Sequence, residues 1–287
     1  MKSLAERLTV ALGRVLRTRR WRMVFALSMV AGLVSACAPK SGDPIPPADV
    51  QSAQVGYLQA PRLTATTLSD RSFSVKGVAA KGARIRLSSP EGQAFGTTAD
   101  DSGLWQIDVP RNAARPQQAM LFGLSEDIEG RIIQAEFYVA LLPDPQVPVV
   151  LLRAGTGAQT LSQGAAFAIT TADFDRAGGL TVSGFAPAGK PIKASLDGSG
   201  AIETFAGQDG RFSLGLPGSA PTMVRQIQIL SGMDRRALRL DVSVPRLPAG
   251  ALAVTTRLAS GWLIDWTTPS GGVQTTFIQS PKAGVKP

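Results

Sequence analysis

Two segments of 36 residues in this chain resemble each other, and this internal repeat restricts the fold more than any other feature of the sequence. The segment 75–110 aligns without a gap on the segment 182–217, at an offset of 107. Self-similarity at a fixed offset is typical of a duplicated structural unit. We therefore predict two copies of one domain, at residues 63–143 and 167–248. The principal matched pairs are Gly77 with Gly184, Gly82 with Gly189, Gly103 with Gly210, Trp105 with Phe212, and Pro110 with Pro217.

Each copy has the residue pattern of short β-strands. Apolar residues recur at every second position near the end of each repeat, and side chains on a strand alternate between its two faces, so these residues share one face. About seven such strands in roughly 80 residues predict an antiparallel β-sandwich for each copy. The predicted inward-facing residues are Trp105, Ile107 and Val109 in the first copy and Phe212, Leu214 and Leu216 in the second.

Glycine and proline support a fold of short strands joined by turns. The chain of 287 residues has 30 glycines and 20 prolines, whereas only 18% of it is charged. The segments Asp100–Gly103 and Gln208–Gly210 predict hairpin turns. Gly77 and Gly184 each follow a valine by two residues, so we expect them at the exit of a strand, where a tight connection requires a positive φ.

Two further segments lie outside the repeats. The connector 144–166 includes an apolar run at 147–153, which predicts one strand within the connector. The alternative is that this run pairs with an edge of the second domain. The tail 249–280 predicts a three-stranded β-meander with strands at 251–258, 261–268 and 272–279, and 281–287 is expected to be flexible. Because so small a sheet is marginal alone, we expect it to pack on the second domain or on another chain.

Two tryptophans of this tail are candidates for recognition. Trp262 and Trp266 lie two strand positions apart on one face of the predicted middle strand. Flat aromatic rings in this arrangement can stack on a glycan or insert into a protein partner. The alternative is that both rings fill the core of the small sheet.

The first 36 residues have the order of a bacterial export signal: a cationic stretch, an apolar stretch and small residues before a cleavage point. The 14 residues 23–36 would form a helix of roughly 21 Å, which is shorter than the roughly 30 Å hydrocarbon core of a bilayer. The short apolar stretch therefore favours an export signal that is cleaved off over a permanent membrane span.

The end of this segment resembles the lipobox of bacterial lipoproteins. The residues are Val34, Ser35, Ala36 and Cys37, and Cys37 is the only cysteine in the chain. The resemblance implies cleavage between Ala36 and Cys37 and a covalent lipid on Cys37, which becomes the first mature residue. It also implies outer-membrane rather than inner-membrane anchoring, because Ala38 stands where an aspartate favours retention. Residues 37–62 include five prolines and predict an extended, disordered tether.

The repeats themselves resemble bacterial Ig-like domains that occur in tandem on cell-surface proteins. The shared pattern has Val, Gly, Ala, Gly and Ile near its start and Thr, Gly, an aromatic residue and Pro towards its end. The resemblance implies an all-β fold of two tandem Ig-like antiparallel sandwiches, followed here by the small meander. It specifies function poorly, because such domains serve as spacers, adhesive modules and scaffolds.

The formal charge of +9 does not indicate a nucleic-acid partner. Seven of the 30 basic side chains and one of the 21 acidic side chains fall in residues 1–36. The exported part therefore has 23 basic and 20 acidic side chains, a net charge of only +3. Most of the basicity therefore belongs to the signal, and we predict no binding to nucleic acid.

The sequence gives little indication of catalysis. It contains no histidine, which is the commonest general base and metal ligand, and it has no recognisable nucleophile or phosphate-binding motif. The acidic pairs Asp100/Asp101 and Asp173/Asp175 predict solvated turn residues rather than a metal site or catalytic dyad, since calcium needs six or more converging oxygens. We predict a non-enzyme with no metal or cofactor beyond the lipid.

These observations together predict a lipid-anchored scaffold or interaction protein of the cell envelope. The membrane, through Cys37, is one expected partner, and an unidentified envelope protein is another. The alternative hypothesis is a glycan-binding or adhesive surface module that uses Trp262 and Trp266.

Overall fold

The computed structural model describes residues 59–114, 117–161, 166–198, 200–217, 223–242 and 247–280. The signal, Ala36, Cys37 and the tether up to residue 58 lie outside these residues. The described part contains β-strands and no helix, and it forms a single compact unit. The fold class predicted from the sequence, two tandem Ig-like sandwiches with a C-terminal meander, is confirmed.

The first repeat is a sandwich of seven strands. One sheet has the order β1-β2-β5, and the other contains the order β4-β3-β6-β7, with every neighbouring pair antiparallel. The strands are β1 (Arg62–Leu68), β2 (Ser72–Val78), β3 (Arg84–Ser88), β4 (Ala94–Thr98), β5 (Leu104–Pro110), β6 (Met120–Ile128) and β7 (Arg131–Leu141).

Two connector strands follow, β8 (Val149–Leu152) and β9 (Gln159–Thr160). The β8 strand pairs with β7 and β9 pairs with β8, so both extend a sheet of the first repeat. The apolar run 147–153 does form a strand, but it pairs with the first domain and not with an edge of the second, a pairing that the sequence did not predict.

The second repeat has the same strand order, β10-β11-β14 in one sheet and β13-β12-β15-β16 in the other. Its strands are β10 (Ala168–Asp175), β11 (Leu180–Phe185), β12 (Pro191–Leu196), β13 (Ile202–Phe205), β14 (Arg211–Leu216), β15 (Met223–Ser231) and β16 (Asp234–Val242).

The C-terminal meander continues the second repeat. It consists of β17 (Ala253–Leu258), β18 (Gly261–Thr267) and β19 (Val273–Gln279), and β19 pairs antiparallel with β10. The result is a six-stranded sheet in the order β14-β11-β10-β19-β18-β17. Pairing with β10 explains how so small a meander is stabilised, because a sheet of the second repeat supplies the partner strand for β19 at one edge of the meander.

Each repeat has its own hydrophobic core between its two sheets. All six predicted inward-facing residues are buried, with at most 8% of their surface exposed. Burying each such side chain contributes roughly 1.5–3 kcal/mol relative to leaving it exposed. These residues are Trp105, Ile107 and Val109 in the first repeat, and Phe212, Leu214 and Leu216 in the second.

The prediction that Gly77 and Gly184 need a positive φ at the exit of a strand was wrong. Both glycines lie inside strands, β2 and β11, and neither has a positive φ. What each position requires is space. A Cβ on Gly77 would lie 2.1 Å from the Arg62 carbonyl oxygen and 2.2 Å from Trp105 Cζ2, and one on Gly184 would lie 2.0 Å from the Ala168 carbonyl oxygen.

Candidate functional site: the junction between the repeats

A third hydrophobic cluster, here called the junction core, lies between the first repeat and the meander. It packs the outer face of β6, β7 and β8 against the outer face of β18 and β19. The sheet formed by β6–β8 is therefore buried on both faces in this region. The junction core consists of Ala119, Leu121, Ala140, Leu142, Val147, Val150, Leu152, Ala158, Trp262, Ile264, Trp266 and Ile278.

The two candidate recognition residues belong to this core. Trp262 is 2% exposed and Trp266 is 0% exposed, so neither ring presents a face to a glycan or a partner. Trp266 donates a hydrogen bond from Nε1 to Thr276 Oγ1 at 3.1 Å, and Tyr138 packs edge-on against it with ring centroids 5.8 Å apart. The structure thus corrects the surface-contact hypothesis in favour of its alternative, core packing, because the first repeat covers the strand face that carries both rings.

A polar cluster closes one side of the junction core. Arg257 on β17 lies over the ring of Trp262, with its guanidinium carbon 4.9 Å from the centroid. Its Nη1 donates to Ser280 Oγ at 2.9 Å and lies 3.5 Å from Asp144 Oδ2, and Ser280 in turn donates to Asp144 at 2.9 Å. Asp144 follows β7, whereas Arg257 lies on β17 of the meander and Ser280 directly follows β19. These contacts therefore tie the first repeat directly to the meander.

A buried carboxylate ties the second repeat to both the connector and the meander. Asp173 on β10 is 4% exposed, and it accepts hydrogen bonds from the Ala158 backbone N–H at 2.7 Å, from Gln274 Nε2 at 3.0 Å and from Thr276 Oγ1. Burial raises the pKa of Asp173 to about 6, although these hydrogen bonds favour the ionised form and oppose the rise.

The remaining acidic candidates behave as the sequence predicted, and Asp173 does not. Asp100 accepts from the backbone N–H groups of Ser102 and Leu104 in a turn, while exposed Asp101 pairs with Lys81 at 2.8 Å. Asp175 likewise accepts from two N–H groups of its own turn. The prediction of a solvated turn acid was wrong for Asp173, because β19 and the connector cover it.

A buried carboxylate inside the first repeat and the junction core itself were not predicted from the sequence. Glu126 on β6 is fully buried, and desolvation raises its pKa while the Ala80 N–H, which donates to it at 3.2 Å, acts in the opposite direction. The apolar runs 139–142 and 149–152 are the signal that could have revealed the junction core, because a strand buried on both faces reads as continuous rather than alternating hydrophobicity.

Among the described residues, no group of three or more acidic, histidine or cysteine side chains is placed to hold a metal ion. In the same part of the chain, no helix has the length and hydrophobicity to cross a membrane.

No protein-family model matches this chain, and no curated protein is significantly similar to it in sequence. Solved structures give distant likenesses. A structure described as "Biofilm associated protein - BSP domain" is 10% identical with a TM-score of 0.23, and the match covers 66% of this chain and 30% of that one. This chain thus spans less than a third of that structure.

Two further structures are similarly distant. One, described as "Ca2+-stabilized adhesin helps an Antarctic bacterium reach out and bind ice", is 13% identical with a TM-score of 0.20, over 76% of this chain and 66% of that one. The other, "Central Fibronectin-III array of RIM-binding protein", is 10% identical with a TM-score of 0.23, over 77% and 89%. These likenesses assign neither a family nor a function to the chain.

Proposed function

We propose that this chain is a lipid-anchored, non-enzymatic scaffold of the bacterial cell envelope. In this proposal, Cys37 holds the chain to the outer membrane, residues 38–62 form the tether, and the two repeats present docking surfaces to an envelope protein. The observation that carries it is the junction core. A scaffold has to hold its surfaces in a fixed relative orientation, and a buried apolar layer between the repeats supplies that constraint.

Three further contacts support a fixed junction rather than a free linker. The Arg257–Ser280–Asp144 cluster joins the first repeat to the meander. Asp173 joins the second repeat to the connector. Arg211 of β14 donates from Nη1 to the Thr160 carbonyl oxygen at 2.6 Å, so the connector is held along its length. Tandem domains without such an interface would be expected to move relative to one another.

The anchoring half of the proposal is tested by lipid labelling in cells. We expect the full-length chain to incorporate an alkyne-bearing fatty acid and to fractionate with outer membranes. Cys37→Ala should abolish the label and prevent cleavage after Ala36, whereas Ser41→Ala, four residues away, should change neither. Labelling of Cys37→Ala equal to the unchanged chain would contradict the anchor.

The scaffold half is tested by photo-crosslinking in living cells. A photoreactive residue is placed singly at exposed positions of each repeat, Ile132 in the first and Phe205 or Met233 in the second. We expect at least one position to crosslink to a defined envelope protein, and Trp266→Ala to reduce the yield by disturbing the orientation of the repeats. Absence of crosslinks at all positions, in cells where the protein is abundant and anchored, would contradict a docking role.

A further inference from the structure

A cleft opens beside the junction core, on the outer face of the first repeat. Its volume is about 630 Å³, within the range of about 300–1,000 Å³ found for small-molecule sites. Strands β6 and β7 form its floor, and Leu152 of β8 and Trp266 of β18 lie at its inner end. Two separate parts of the fold, the first repeat and the meander, therefore build this cleft together.

An irregularity in the strand pairing lies at the floor of the cleft. Gly123 pairs with Tyr138 and Ser125 pairs with Gln134, so Leu124 alone faces the three residues 135–137. The corresponding ladder of the second repeat is regular, with Gln226 opposite Arg239. The β7 strand has 11 residues and β16 has nine. Bulges redirect side chains and are frequent beside functional sites.

Gly123 leaves the floor of this cleft open. A Cβ there would lie 3.8 Å from both the Ser88 carbonyl oxygen and Tyr138 Cε1, which is ordinary van der Waals contact, and its φ is not positive. The backbone therefore does not require glycine at this position. Gly123, which pairs with Ser88, lacks a side chain where the second repeat has Gln228 opposite Ser195.

The polar groups of five side chains that line the cleft are not used by the fold. Within the described part of the chain, none of these five makes a side-chain hydrogen bond or an ion pair, whereas Ser89, which also lines the cleft, accepts a hydrogen bond from the Gln93 backbone N–H at 3.2 Å. Four of the five carry hydroxyl or amide groups, which both donate and accept hydrogen bonds. These side chains are Ser88, Ser125, Gln134, Glu136 and Tyr138.

The charge and polarity of the other residues that line the cleft indicate which class of ligand fits it. No lysine or arginine lines the cleft, so nothing there compensates an anionic ligand, whereas Glu136 favours a neutral or positively charged one. Leu252 and Pro269 supply apolar walls, and the edge-on contact with Trp266 fixes the ring of Tyr138. Groups that both donate and accept, next to apolar and aromatic walls, match the hydroxyls and C–H faces of a sugar.

We propose that this cleft binds an uncharged or amine-bearing oligosaccharide. The inference goes beyond the scaffold function and does not depend on it. It also differs from stacking on exposed tryptophans, because Tyr138, Gln134 and Glu136 make the contacts and Trp266 only supports Tyr138. An extended peptide is disfavoured, because strand addition requires an exposed sheet edge, whereas β6 and β7 each pair with a strand on both sides.

The test is calorimetric titration of the full anchored chain in a detergent without a sugar headgroup. The probes are cellotriose, N,N′,N″-triacetylchitotriose, the glucosamine trimer, trigalacturonate and a hexapeptide of alternating Val and Thr. We expect saturable binding of at least one of the first three. Gln134→Ala should weaken it about tenfold, and Gly123→Leu, which fills the cleft, should abolish it.

Gln226→Ala is the matched control, because Gln226 lies on the same outer face of the second repeat without a cleft. It should bind as the unchanged chain does, and the thermal midpoint of each variant verifies that it is folded. Binding of none of the first three probes overturns the proposal, as does binding of trigalacturonate or the hexapeptide alone. Unchanged affinity in both folded variants, Gln134→Ala and Gly123→Leu, also overturns it, because the sugar would then bind elsewhere.

Discussion

The two repeats have the same strand order but differ in what covers them. In the first, β8 pairs with the edge of β7, and the junction core covers the outer face of the sheet. In the second, β16 is the last strand of its sheet, and the outer face carries exposed Lys193, Gln226 and Arg239. The added strands of the second repeat instead extend its other sheet, through β19 and β10.

This difference explains how two copies of one domain come to have different surroundings in the same chain. The segment 139–142 is apolar at every position, so both of its faces are buried, whereas 235–240 alternates between exposed and buried residues towards its end. The same architecture thus supports a second buried layer on one copy and a solvated face on the other. The side-chain pattern of these two strands decides which copy has a second buried layer.

Removal of a ring from the junction core should have the largest effect. Trp266→Ala leaves a cavity and removes the hydrogen bond from Trp266 Nε1 to Thr276, and we expect it to lower the free energy of unfolding by about 3–5 kcal/mol, measured by urea denaturation. Met233→Ala, at a fully exposed apolar residue of the second repeat, is the control and should change it by less than about 0.5 kcal/mol. An equally small effect of Trp266→Ala would revive a surface role for that ring.

Asp173 should make the stability of the junction depend on pH. Its pKa of about 6 lies above the ordinary aspartate value of 3.8, so the folded chain binds this proton more tightly than the unfolded chain. Its contribution, about 3 kcal/mol for a difference of about two pKa units, is fully present below about pH 4 and is lost as pH rises through about 6.

Asp173→Asn should remove this component, while Asp175→Asn, at an exposed turn residue on the same strand, should retain it. The measurement is the free energy of unfolding at pH 4, 5, 6 and 7 for the three proteins. Identical pH profiles for the unchanged chain and Asp173→Asn would show that the proton on Asp173 is not linked to folding.

Gly77 and Gly184 test a packing feature that the two repeats share, the close approach of a neighbouring strand to a glycine. Gly77→Ala and Gly184→Ala each place a Cβ about 2 Å from a carbonyl oxygen, and we expect each to destabilise by about 1–3 kcal/mol through overpacking. Gly123→Ala, also within a strand but with its nearest contacts at 3.8 Å, should be close to neutral. Comparable midpoints for all three variants, measured by thermal unfolding, would refute the close-approach explanation.

Arg257 should have the smallest effect, because its side chain is about half exposed. Arg257→Ala removes the contact with Trp262 and the hydrogen bond to Ser280, and we expect a loss of about 1 kcal/mol. Arg257→Lys should recover less than half of it, since an ammonium group lacks the planar fork of a guanidinium. A full recovery in Arg257→Lys, measured by urea denaturation, would mean that only the charge matters.

The repeat and its alternating residues were sufficient to predict the strands and the inward faces of both sandwiches. They did not decide where Trp262 and Trp266 lie, because alternation assigns residues to a face but does not identify what covers that face. The burial of Asp173 depends on β19, which is about 100 residues away in sequence. The cleft depends on a bulge whose sequence signal is slight: the strand segment 131–141 is two residues longer than 234–242.

The junction core fixes the two repeats relative to each other, so the distance between spin labels on the two repeats should be well defined. Spin labels at Arg131→Cys and Met233→Cys occupy the matching hairpins of the two repeats, in a chain whose only native cysteine is replaced by Cys37→Ser. Pulsed electron paramagnetic resonance should give one narrow distance distribution, which Trp266→Ala should broaden. A broad distribution in the chain with Trp266 intact would show that the junction core does not fix the two repeats relative to each other.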